Sequence, residues 1–172
     1  MGKQINYYME YESFVHIAEK ALEMGCEIIK RDEKANKIIR STSADIITRD
    51  CRNYHFHIPE AGEFAVKTTP DGLKYVDSGY SASGAALIEA GYSYINTEEK
   101  RISRNRLYCI SGYYDENESL VKRPDCVTKI YNSLARFVKK LAPAVDDRGN
   151  YNYKEYATPY CLELKKNGYI LR

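Results

Sequence analysis

Apolar positions fall into two helical stripes separated by many short alternating runs. Phe14, Ile17, Ala18, Ala21 and Leu22 recur at helical spacing and predict a helix over residues 13–24. Glu10 and Glu12 suit its positive end, and Gly25 takes the position just past its C-terminus. Ile130, Leu134, Phe137 and Leu141 predict a second helix over 125–141. Asp125 stands as its N-cap after Pro124, Lys139 and Lys140 suit its negative end, and Pro143 stops it.

The remainder alternates with period two or is broken by turn residues. Residues 3–9, 26–31, 37–40, 53–58, 64–68, 73–77, 86–95 and 107–114 read as strands. Residues 32–36 form a hairpin-like turn, and Thr69-Pro70-Asp71-Gly72 is a strong turn signal. Residues 43–52 read as ambiguous, with Ser43 able to cap a short helix carrying Ile46 and Ile47. Residues 78–84 and 144–153 read as loops, and the charged stretch 98–106 as a connection. Residues 158–167 suit a short helix with Thr158 as cap, Pro159 at its first position and Gly168 beyond its end, before a terminal strand or tail at 169–171. The order predicts a single α+β domain over 1–172, a mainly antiparallel sheet of five or more strands with helices packed on it.

Length changes this picture little: 172 residues suffice for a core without metal or disulfide staples. No apolar run approaches the ~20 residues of a membrane span. Five cysteines, Cys26, Cys51, Cys109, Cys126 and Cys161, are dispersed, with no CxxC pair. That pattern predicts free thiols in a reducing cytoplasm, not a disulfide framework or a zinc ribbon. The first residues show neither a signal peptide nor a myristoylation motif. Net charge is +2, but residues 116–172 carry eleven basic and seven acidic side chains.

Within that basic third, Lys129, Ser133, Arg136 and Lys140 form one helical stripe. It is expected about 100° from the apolar seam. An acidic protein surface or a nucleic-acid backbone would meet it. Its three charges are few for a dedicated duplex-binding domain.

Candidate chemistry is sparse. His55 and His57 stand at i and i+2 of a strand and share one face, which makes them metal-ligand candidates without a third or fourth ligand. The alternation instead predicts Tyr54, Phe56 and Ile58 inward and both imidazoles outward. His16 falls on the solvent face of the first helix. The sequence holds no GxSxG, P-loop or GxGxxG motif. No catalytic residue and no cofactor are therefore assigned. The seventeen tyrosines, against four phenylalanines and no tryptophan, suit an interface. An AT-rich genome would raise the same count. Tyr114 is the member of the Tyr113-Tyr114 pair nominated for partner binding.

Met1-Gly2-Lys3-Gln4-Ile5-Asn6-Tyr7-Tyr8-Met9, Tyr54-His55-Phe56-His57-Ile58-Pro59-Glu60-Ala61-Gly62, Arg106-Leu107-Tyr108 and Tyr131-Asn132-Ser133-Leu134 cover 25 of the 172 residues. Together they resemble small cytosolic immunity-like proteins of bacterial contact-dependent toxin systems. The resemblance implies a non-enzymatic protein that occludes a toxin's active site, with no catalytic residues to carry over. The expected partner is another protein, a cognate toxin, with no membrane association. Two alternatives stay open: a nucleic-acid-binding accessory domain using Lys129, Arg136 and Lys140, and a small hydrolase with a site near His55 and His57.

Overall fold

The structure, a computed structural model, describes residues 6–7, 9, 11–76, 86–91, 94–96, 98–103, 105–106, 108–109, 113–114, 120–121, 124–141, 144–145, 166–168 and 170–171. The elements are β1 (Asn6–Tyr7), α1 (Tyr11–Glu23), β2 (Glu27–Asp32), β3 (Lys37–Ser41), β4 (Tyr54–Ile58), β5 (Val66–Thr68), β6 (Lys74–Val76), β7 (Ala86–Ala90) and α2 (Asp125–Leu141), with further short strands between and after the last two. The central sheet has five strands in the order Tyr108–Cys109, β7, β4, β2, β3, and every pairing in it is antiparallel. With the two helices packed on that sheet, the expected α+β architecture is observed.

One register explains the core. Ile28 pairs with Phe56 and Phe56 with Ile88, so the three stack in a row across β2, β4 and β7. Their face meets Phe14, Ile17, Ala18 and Ala21 of α1 and Val127, Leu134 and Val138 of α2. The Phe14 ring lies 5.3 Å from that of Tyr54 and 6.0 Å from that of Phe56. Tyr54 keeps its hydroxyl satisfied inside: it accepts from the Thr48 N–H at 2.9 Å and donates to the Thr48 carbonyl at 3.3 Å.

Local signals work where the chemistry is local. Gly25, at φ 89°, ends α1 by donating to Leu22, while Cys26 donates to Ala21, a Schellman closure. Asp32 accepts from the Ala35 N–H in the β2–β3 turn. Ser43 accepts from the Asp45 N–H and caps a single 3₁₀ turn, Ala44–Ile46. The Thr69–Gly72 turn closes through Gly72 N–H to Thr69 O, with Gly72 at φ 86°.

Five expectations are corrected. Helix α1 starts at Tyr11, not Ser13, and the Tyr11 hydroxyl anchors that first turn by donating to the Ile47 carbonyl. Pro124, whose carbonyl accepts the Thr128 N–H, takes the cap place assigned to Asp125, which lies in the first turn of α2. The run 86–95 is two strands in different sheets, β7 and Tyr94–Asn96, parted near Gly91. The run 107–114 likewise splits: Tyr108–Cys109 joins the central sheet, while Tyr113–Tyr114 pairs with Leu120–Val121. The charged connection at 98–106 contains two short strands, Arg101–Ser103 and Asn105–Arg106. The loop expected at 78–84 and residues 158–165 of the expected short helix lie outside the described residues. Gly168 has the positive φ, 79°, that a helix-ending position uses.

Candidate functional site

The second face of the central sheet carries the ionisable side chains. By register, Ile29 of β2 lies between Arg40 of β3 and His55 of β4, and His55 faces Glu89 of β7. In the next row Glu27 faces His57 and His57 faces Leu87. The histidines do turn away from Tyr54, Phe56 and Ile58. They do not reach solvent, because His55 is 5% and His57 1% exposed. The outward placement expected from alternation is therefore corrected: Ile29, Leu87, Val76 and the half-buried Ile38 and Phe64 make a second apolar cluster over this face.

His57 is engaged at both ring nitrogens. Nδ1 lies 3.1 Å from a Glu27 carboxylate oxygen and Nε2 2.7 Å from the Gly62 carbonyl oxygen. Phe64 meets the imidazole edge-on at 5.2 Å, and the Arg40 guanidinium sits 4.8 Å over the Phe64 ring. Arg40 also donates to Glu27 through Nε at 2.8 Å, with Nη2 at 2.6 Å from the same oxygen. That charged hydrogen bond, then the one from His57, holds the Glu27 carboxyl below its ordinary range against the opposing effect of burial. The result is a closed clamp from β2, β3 and β4 onto the chain at 62–64.

His55 behaves differently two residues away. Burial first, and the nearby Arg31 charge second, push it down to about 4, so the ring is neutral at pH 7. Both ring nitrogens of His57 face protein partners, Glu27 and Gly62, rather than a site shared with His55. Among the described residues, no group of three or more His, Cys, Asp or Glu side chains is placed to hold a metal ion. His16 is exposed, as expected, with Nδ1 3.2 Å from Glu19. Cys26, Cys51 and Cys126 are free thiols. Burial pushes the Cys26 thiol up to about 12, which makes it a poor nucleophile.

The second candidate is the surface of α2. Val127, Leu134 and Val138 are fully buried, while Ile130, Tyr131 and Phe137 flank them half-buried. The seam is thus turned from the expected Ile130–Leu134–Phe137 line, and the side chain of Leu141 lies outside the described residues. Lys129, Arg136 and Lys140 are all exposed, and Ser133 is half-buried. At ~100° per residue the three cations sit roughly 160° from the buried seam, so they point straight at solvent rather than to the side. Among the described residues none of the three has a hydrogen-bond or ion-pair partner. By contrast, Lys20, Arg40 and Arg49 are paired to Glu23, Glu27 and Glu12. Tyr114 lies in a two-residue strand against Leu120, and its side chain is outside the described residues. The turn of the seam was not readable from the helix alone, because half-buried and buried apolar positions look alike until the sheet is in place.

No family model, curated protein or solved structure matches the chain. Among the described residues no helix is long and apolar enough to cross a membrane.

Proposed function

We propose that the chain is a non-enzymatic cytoplasmic binding protein, an immunity-type inhibitor that occludes a partner toxin through the exposed face of α2. The observation that carries this reading is the stripe Lys129, Arg136 and Lys140: three exposed cations, without an ion-pair partner among the described residues, opposite the most buried line of the helix. Such a stripe speeds encounter with an acidic surface and sets its orientation. The histidine chemistry supports the same reading. The pair His57–Glu27 is sealed under Phe64 with both ring nitrogens occupied, so the clamp holds the fold and presents no base to a substrate. Tyr114 is proposed as an interface side chain on its sequence position alone.

Co-expression tests the proposal. The chain should restore growth of cells producing the toxin encoded beside it, and Lys129→Glu, Arg136→Glu and Lys140→Glu together should abolish that rescue without changing the circular dichroism spectrum. Rescue by the triple variant equal to that of the native chain removes α2 from the interface. DNA or RNA binding that falls with salt at a log–log slope near three would favour the nucleic-acid reading of the same stripe.

A further inference from the structure

The outward positions of the two helices repeat one spacing with opposite charge. On α1 the exposed residues Glu12, His16, Glu19 and Glu23 lie about 180° around the helix from the buried Phe14, Ile17, Ala18 and Ala21. On α2 the stripe Lys129, Ser133, Arg136 and Lys140 follows the same steps of four, three and four residues. Each stripe is therefore about 16 Å long. Both helices pack side by side on one face of the central sheet, so both stripes look out from the same side of the molecule.

Among the described residues neither charge is quenched. Glu12 is bonded to Arg49, Glu19 lies 3.2 Å from His16 Nδ1 and Glu23 lies 3.1 Å from Lys20 Nζ, but each of these side chains is 40% or more exposed. Pairs so open to water hold little energy and leave the carboxylates able to turn to another cation. Lys129, Arg136 and Lys140 have no ion-pair partner among the described residues.

A two-fold axis parallel to the helices and between them sets α1 of one copy over α2 of the other, twice in the same contact. The matched spacing satisfies either helix direction. Run parallel, Glu12, Glu19 and Glu23 meet Lys129, Arg136 and Lys140 in turn. Run antiparallel, Glu12 meets Lys140 and Glu23 meets Lys129. Asp125, the acid on the exposed face of α2, lies a turn beyond the matched length in both cases. Setting α1 on α1 or α2 on α2 would instead oppose like charges, which fixes the pairing.

We propose that this face binds a second copy of the chain, in a two-fold dimer held by the acidic stripe of α1 against the cationic stripe of α2. The dimer goes beyond the inhibitor reading and does not rest on it. An acidic protein that takes the α2 stripe displaces the second copy.

The test is analytical ultracentrifugation of the full chain alone, from about 10 µM to about 500 µM, at low and at high salt. The native chain should show a monomer–dimer equilibrium that weakens tenfold or more as salt rises from about 20 mM to about 300 mM. Two variants each reverse one stripe: Glu19→Lys/Glu23→Lys, and Lys129→Glu/Arg136→Glu/Lys140→Glu. Each alone should be monomeric, and an equimolar mixture of the two should form a dimer, because each acidic stripe then faces a basic one. A native chain that stays monomeric at low salt overturns the proposal and leaves the partner reading standing, since no partner is present. Self-association of either variant equal to that of the native chain also overturns it, as does growth of native species beyond the dimer or a mixture that stays monomeric. Circular dichroism checks folding, and if one variant does not fold, the native chain against the other decides.

Discussion

His16, His55 and His57 show how far environment outweighs residue type. His16 lies on an exposed helix face beside Glu19, and its truncation to Ala should change stability by no more than about 0.5 kcal/mol. His57→Ala would empty a sealed site, strip two hydrogen bonds and leave Phe64 without its neighbour. The expected cost is about 2–4 kcal/mol in urea unfolding. His55 sets a pH dependence. Its folded-state ionisation lies near 4 against an ordinary 6.5. Between those values the unfolded chain takes up a proton that the folded chain refuses. Stability should therefore fall as pH drops from 6.5 towards 4, by about 3 kcal/mol in all at ~1.4 kcal/mol per unit. Glu27 works in the same direction lower down: its carboxyl is held below the ordinary range, so its contribution is present above that range and lost as acid titrates it in the folded state. Comparing urea midpoints of the native chain and His55→Phe from pH 7 to pH 4 isolates the histidine part, and equal slopes would show that His55 is not kept neutral. Cys26 should resist iodoacetamide at pH 8 in the folded protein and react only on unfolding, as mass spectrometry of the alkylated chain would report.

At the scale of elements, the legible parts were those decided within a few residues. The helix α1 with its Gly25 ending, the hairpin turn at 32–36, the Ser43 cap and the Thr69–Gly72 turn depend on local bonds, and the sequence pattern located them. What it could not supply was which surfaces would be covered. Alternation in Tyr54–Ile58 assigned polar residues to solvent, which holds for a sheet with one wet face. Here Phe64 and Val76, eight and twenty residues from Phe56 in the chain, close the second face. The same non-local packing turns the α2 seam towards Val127 and Val138. Of the candidate site, the cations at Lys129, Arg136 and Lys140 were readable from spacing, whereas the Arg40–Glu27–His57 clamp was not, because it needs the β2–β3 and β2–β4 registers. Leu134→Ala should cost about 2–5 kcal/mol, while Lys129→Ala should stay within about 0.5 kcal/mol, both read from urea unfolding. A large loss for Lys129→Ala would mean that the stripe serves the fold.

Across the whole molecule the two helices that cover the sheet present unlike faces. The exposed positions of α1 are Glu12, His16, Glu19 and Glu23, and among the described side chains of α2 they are Asp125, Lys129, Asn132, Arg136 and Lys140. The acidic face is partly neutralised by Arg49 and Lys20, whereas Lys129, Arg136 and Lys140 have no ion-pair partner among the described residues. Net charge of +2 hides this separation, which is why composition alone says little about partners. A docking surface of this kind acts mainly on the rate of association. The most direct measurement is therefore the association and dissociation rates of the chain with its co-purifying partner, native against Lys129→Glu/Arg136→Glu/Lys140→Glu, across a range of salt. The account expects an association rate lowered about tenfold or more at low salt, a difference that closes as salt rises, and a smaller change in dissociation. Identical rates at every salt concentration, in a variant that folds like the native chain, would contradict it.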